Sequence, residues 1–137
     1  TLFLGNLNAK RDWGHAKDYV NAMWKMLQNK QPKDYVIATG LQFSVREFIN
    51  LVLKELNFDF AWTGKGVKEK CINKKINKPI IMVDKAYMRP LEVDTLLGNS
   101  KKARRELKWK PKYNIHSIVK EMIYDEFDSL KNDKKNR

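Results

Sequence analysis

An α/β fold is what this 137-residue chain predicts, on three observations. Short β-branched runs alternate with apolar stripes of helical period. Gly, Pro, Asn and Ser stand where the elements must end. The apolar faces of the helices are wide enough to need a sheet to pack on.

Leu2-Phe3-Leu4 predicts a short strand, which Gly5 and Asn6 end. Ala16, Tyr19, Val20, Met23, Trp24 and Leu27 recur at helical spacing, so a helix is expected to lie on a core through that stripe until Gln31-Pro32 stops it. Tyr35-Val36-Ile37-Ala38-Thr39-Gly40 reads as a buried strand closed by Gly. Ser44 with Glu47 three residues on predicts a capping box, followed by a helix carrying Val45, Phe48, Ile49, Val52, Leu53 and Leu56. Residues 58–62 alternate as a strand does. Residues 64–78 are polar and basic and read as a loop, with short pairing near Cys71-Ile72. Residues 79–84 predict another strand. Ser100 or Asn99 can cap a short helix through Leu107, and Pro111 biases Lys110 away from helix. Asn114 can cap a last helix with apolar face Ile115, Ile118, Val119, Met122, Ile123, Phe127 and Leu130. The expected organisation is one domain over residues 1–131 and a disordered charged tail over residues 132–137.

No apolar run is long enough to cross a bilayer. The chain starts without Met on a strand already under way, so its first residue reads as a cut. A single Cys71 and no secretory segment make a reducing cytoplasm the default. The 28 Lys and Arg against 16 Asp and Glu leave a formal charge of +12. Such a charge attracts nucleic acid, but the lysines are spread over several segments. The aromatic residues follow core periods and do not interleave with the basic ones as a stacking platform requires. An anionic small molecule fits the charge as well.

Two arginines have anion-binding placement. Arg11 stands where the chain leaves a strand edge and turns into a helix, and its planar fork can meet two phosphate oxygens. Asp12 is placed to cap that helix or to hold Arg11. Arg89 precedes Pro90, which presses its backbone into an extended form. Glu92 follows three residues on. A cation for a phosphate and a carboxylate for ribose hydroxyls suit a sugar nucleotide. The plain alternatives are a surface Arg beside a cap, and a surface Arg–Glu pair worth ~0–1 kcal/mol. His15 reads as a helix-start His bonded to backbone, Arg46 as structural or at a subunit contact, and His116 as exposed. Cys71 lacks an identifiable partner for nucleophilic work. No metal-ligand set and no catalytic set is evident.

Residues 5–20, from Gly5-Asn6-Leu7 through Arg11-Asp12-Trp13-Gly14-His15-Ala16-Lys17-Asp18-Tyr19-Val20, and Tyr87-Met88-Arg89-Pro90-Leu91-Glu92-Val93-Asp94 resemble GDP-mannose 4,6-dehydratase. That family is an NADP-dependent sugar-nucleotide branch of the extended short-chain dehydrogenases/reductases. Ala22-Met23-Trp24, Val36-Ile37-Ala38-Thr39-Gly40 and Trp109-Lys110-Pro111-Lys112 carry the likeness along nearly the whole chain. It implies the C-terminal substrate-binding portion of such a fold, lacking most of the Rossmann sheet. It also implies GDP-mannose as the ligand, with Arg11, Arg89 and Glu92 as counterparts of diphosphate and ribose ligands. The full-length family would convert GDP-mannose to GDP-4-keto-6-deoxymannose, a lyase reaction on the way to GDP-fucose-type sugars, as a cytoplasmic homo-oligomer. NADP would bind outside this chain, for a Gly-x-x-Gly-x-x-Gly turn and a Tyr-x-x-x-Lys pair are both missing. The chain alone is therefore expected to be inactive. Part of its core should stand exposed without that half.

Three departures stand out. Met88 replaces the usual Phe, Lys85-Ala86 replaces Pro-Arg, and Lys108 replaces a Gly before Trp-Lys-Pro. Lys108 would cost roughly 1 kcal/mol if its φ is positive. Two alternatives stay open: another nucleotide-sugar epimerase or reductase, and a stand-alone basic nucleic-acid-binding module.

Overall fold

The computed structural model describes residues 1–135. In chain order the strands are β1 (Leu2–Leu4), β2 (Lys10–Asp12), β3 (Gln42–Ser44), β4 (Phe60–Thr63), β5 (Lys70–Asn73) and β6 (Lys78–Val83). The helices are α1 (Ala16–Leu27), α2 (Val45–Glu55), α3 (Lys101–Glu106) and α4 (Ile115–Lys135). Two 3₁₀ turns occupy Gly66–Lys68 and Lys85–Tyr87. These elements divide into two compact units, Thr1–Lys10 with Ser44–Thr95, and Arg11–Phe43 with the chain from Leu96 onward.

The first unit is a four-stranded sheet of order β1-β6-β5-β4. β1 runs parallel to β6, with Leu2 opposite Ile81 and Leu4 opposite Val83. The other two pairings are antiparallel. α2 covers it, burying Ile49 and Leu53 against Leu7, Cys71, Ile81 and Val83. The start of α2 is a complete capping box. The Ser44 hydroxyl accepts from Glu47 N at 3.2 Å, and the Glu47 carboxylate accepts from Ser44 N at 2.6 Å. Those bonds hold the Glu47 carboxyl below its ordinary range. The carbonyls of Ala9 and Leu7 take the next two amides, Val45 N and Arg46 N. Asn57, at φ 55, ends the helix in the left-handed turn that Asn tolerates. Arg46 binds the Glu69 carboxylate through both terminal nitrogens, reaches Asn8 Oδ1 at 3.1 Å, and lies 4.8 Å from the centre of the Trp62 ring. Its role is structural, as one of the two sequence readings had it.

The second unit is built on Trp109, which is 0 % exposed among Ala22, Ala103 and Leu107. Its indole N–H donates to Asp18 O at 2.9 Å. The buried Asp18 carboxylate accepts from Lys112 N and Tyr113 N at 3.0 Å. One residue of α1 therefore holds the connection between α3 and α4 through both backbone and side chain. Lys108 does adopt φ 50, and the Lys25 ammonium donates to its carbonyl and to that of Leu107 at 3.0 and 3.1 Å. Asn99 Oδ1 accepts from Lys101 N and begins α3, and Asn114 Oδ1 accepts from Ser117 N and begins α4. Glu106 accepts from Arg105, Lys33 and Tyr35, and these donors, Arg105 foremost, hold its carboxyl at about 2.

Four expectations need correction. Residues 35–40 form no strand, since a strand exists only where a neighbour supplies the ladder. Tyr35 and Ile37 instead pack on the Trp109 cluster, and the bonded run falls later, at β3. The α1 stripe does not lie on a core: Val20, Met23, Trp24 and Leu27 stand exposed, Leu27 at 81 %, while Asp18 and Ala22 are buried. On α4, Ile115, Ile118 and Val119 are buried, but Met122, Phe127 and Leu130 are exposed. Helix α4 continues through Lys135 where a disordered tail was expected, and no Pro or Gly interrupts the run. Residues 136 and 137 lie outside the described residues. The exposed apolar stripes agree with a core left partly open. The basic loop of residues 64–78 is largely ordered, containing β5 and a 3₁₀ turn.

Two stability changes follow from this packing. Asp18→Ala strands two backbone N–H donors and should lower unfolding free energy by about 2–4 kcal/mol, read as a shift of the urea midpoint. Lys108→Gly removes the left-handed strain while keeping the carbonyl that Lys25 binds. It should raise stability by about 0.5–1 kcal/mol in the same titration.

Candidate functional site

Arg89 and Glu92 belong to the first unit, on the segment that follows β6. Both ends of that segment are tied down. Asp84 N donates to Leu4 O at 2.9 Å, and Lys10 N donates to Asp94 O at 2.8 Å. The Asp84 side chain accepts from Ala86 N and starts the 3₁₀ turn. The turn presses on Gly5, where a Cβ would stand 2.1 Å from Tyr87 O, so only glycine fits. Beyond it Arg89 is exposed and Glu92 half-buried, with Pro90 and Leu91 in a turn between them. Lys85 and Met88, which depart from the resembled pattern, leave this turn formed, with Met88 N donating to Lys85 O at 3.0 Å.

Arg11 belongs to the second unit. It sits on β2, half-buried, in the wall of a cleft of about 360 Å³. Val36, Ile37 and Ala38 form a second part of that wall, and Leu96, Leu97 and Gly98 a third. A Cβ on Gly98 would stand 2.1 Å from that of Ala38, so glycine is required for these two segments to approach. Tyr19, carried by α1, also lines the cleft. Burial foremost, then the Asp12 and Asp18 charges, pushes its hydroxyl above the ordinary tyrosine range, so it remains protonated at neutral pH. Asp12 does not cap α1, whose N-cap is His15. The Asp12 carboxylate accepts from Thr39 N, Thr39 Oγ1 and Gly40 N at 2.9, 2.6 and 2.8 Å.

The cap of α1 is His15. Its Nδ1 accepts from Lys17 N at 3.0 Å, which leaves Nε2 to carry the proton and donate to Glu121 at 3.1 Å. The ring stacks on Tyr113 at 4.1 Å, so its work is structural, as read. His116 is exposed. Cys71 lies on β5 and is fully buried; burial pushes its thiol up, and it is no nucleophile. Among the described residues no group of three His, Cys, Asp or Glu could hold a metal ion, and no helix is long and apolar enough to cross a membrane.

Known proteins resemble this chain along most of its length. The family model described as GDP-mannose 4,6 dehydratase matches residues 1–122. The chain belongs to the GDP-mannose 4,6-dehydratase family. It is 49 % identical over 131 residues to the GDP-mannose 4,6 dehydratase of Dictyostelium discoideum, covering 96 % of this chain and 37 % of that one. The enzyme of Vibrio cholerae serotype O1 is 47 % identical, with 93 % and 37 % covered. GDP-mannose 4,6 dehydratase 2 of Caenorhabditis elegans is 53 % identical over 121 residues, with 88 % and 31 % covered. The chain thus spans about a third of the length of these relatives. Two solved structures share its fold: RMD from Pseudomonas aeruginosa complexed with NADPH, with TM-score 0.63 and 19 % identity, and UDP-glucose 4-epimerase from Bifidobacterium longum in complex with NAD+ and UDP, with TM-score 0.61 and 16 % identity. They cover 86 % and 85 % of this chain, and it covers 33 % and 32 % of theirs. The α/β portion of an extended short-chain dehydrogenase, with a partial sheet, is the fold observed.

A nicotinamide dinucleotide does not fit the residues present. Its pyrophosphate needs a glycine cradle at a helix start. Before α1 the space at Gly14 is filled by the Tyr19 hydroxyl, 1.9 Å from a Cβ position. Before α2 stands the Ser44 box, before α3 Gly98 is closed by Ala38, and before α4 stands Asn114. Of the residues that line the cleft, sequence reasoning singled out Arg11 and passed over Tyr19 and Gly98. Gly98, a glycine just before a helix cap, was the available signal. Gly5→Ala should drive the backbone at Tyr87 outward. The expected result is loss of amide-exchange protection at Asp84 and Met88, with about 1–3 kcal/mol of stability lost.

Proposed function

We propose that this chain is the nucleotide-sugar-binding end of a GDP-mannose 4,6-dehydratase, a lyase acting on GDP-mannose with NADP. In this reading Arg11 and Arg89 each donate to diphosphate oxygens, and Glu92 accepts from ribose hydroxyls. The match of residues 1–122 to the family, within which all three residues fall, is the observation that carries it. The tethered Arg89 segment and the cleft beside Arg11 support it, since a pre-held cation binds an anion with less ordering cost. NADP and the residues that move hydride and protons come from the rest of the enzyme. The product, GDP-4-keto-6-deoxymannose, would feed deoxyhexose synthesis of the GDP-fucose type, in the cytoplasm, from a homo-oligomer. The positive charge serves an anionic small molecule in this account, and nucleic acid is not a partner.

The test is a chimera in which this chain replaces the matching segment of the Vibrio cholerae relative. It should release 4-keto product from GDP-mannose and NADP, while the 137-residue chain alone should release none. Arg11→Ala and Arg89→Ala should each weaken GDP binding about tenfold to a hundredfold in isothermal titration. Glu92→Gln should cost less, because an amide oxygen still accepts, and NADP binding should hold in all three. Wild-type GDP affinity in both Arg variants would sink the site assignment. Turnover of UDP-sugars in preference to GDP-mannose would favour another nucleotide-sugar enzyme, and salt-sensitive DNA binding that GDP does not displace would favour the nucleic-acid reading.

A further inference from the structure

Asp12 stands next to Arg11 on β2, and its carboxylate has a defined task. Oδ1 accepts from both Thr39 N and Thr39 Oγ1, at 2.9 and 2.6 Å, and Oδ2 accepts from Gly40 N at 2.8 Å. Gly40 takes φ +81, a conformation that L side chains rarely adopt. Thr39 is gripped from a second charge as well, since Arg104 donates to Thr39 O at 2.7 Å and to Ser100 Oγ at 3.1 Å. The residues just before this clamp, Val36 to Ala38, form the cleft wall that accompanies Arg11.

We infer that Asp12 is a positioning residue for anion binding, which sets Arg11 against the wall of residues 36–38 before a phosphate arrives. The inference rests on the reading of Arg11 as a diphosphate ligand. One physical argument carries it. A carboxylate that takes three donors cannot swing, so the backbone at the root of the neighbouring guanidinium is held too. Pre-holding of this kind raises affinity by removing an ordering cost, with no contact from Asp12 to the ligand.

Thr39→Val tests this with little change of shape: it removes the 2.6 Å donor to Asp12, together with the acceptor that Leu41 N uses at 3.1 Å. GDP titration of the 137-residue chain should show roughly threefold to tenfold weaker binding for Thr39→Val, and at least that for Asp12→Asn, whose amide N–H₂ would face a backbone N–H. Thr39→Ser keeps the donor and should restore wild-type affinity. In an Arg11→Ala background, Thr39→Val should cost nothing further, since there is no guanidinium left to position. An equal loss in both backgrounds, or a lowered melting temperature with unchanged GDP affinity, would reduce the clamp to a structural role and overturn the inference alone. Unchanged affinity in Arg11→Ala by itself would overturn the reading of Arg11, and the positioning role with it.

Discussion

Asp18 is the point from which the second unit hangs. The connection from α3 to α4 contains Pro111, which has no N–H, and its neighbours belong to no strand. Their amides have to be satisfied by something else. Asp18 does so with two carboxylate oxygens on Lys112 and Tyr113, and its own carbonyl takes the Trp109 indole. That arrangement lets a whole Trp be buried with its one polar atom bonded. It also fixes the rotation of α1, so that Tyr19 points into the cleft and Val20, Met23 and Trp24 point to solvent.

Arg11 belongs to one unit, and Arg89 and Glu92 to the other. Each is anchored by its own device. Arg89 depends on a segment tied at Asp84 and Asp94 and pressed against Gly5. Arg11 depends on a strand whose next residue is clamped to Thr39 and Gly40. Both devices use backbone amides, which cannot change rotamer.

The exposed faces of α1 and α4 carry large apolar side chains, Trp24 and Phe127 among them. Large apolar patches are costly on a solvated surface.

Local chemistry was legible in the sequence by itself. The Ser44–Glu47 box, the His15 start of α1 and the Asn114 start of α4 each depend on residues within a few positions of one another. The family-specific run through Arg11 was equally plain, because it is contiguous. Helical periodicity named the apolar face of α1 but not what lies against it, and the face it named is solvated. The strand expected at residues 35–40 failed for the same reason, since β structure needs a partner that no local pattern supplies. Tertiary structure alone decided the clamps: Asp12 reaches 27 residues along the chain, and Asp18 reaches 94. A carboxylate's partners are set by which backbone amides the fold leaves unpaired nearby, and that choice is made only when distant segments meet.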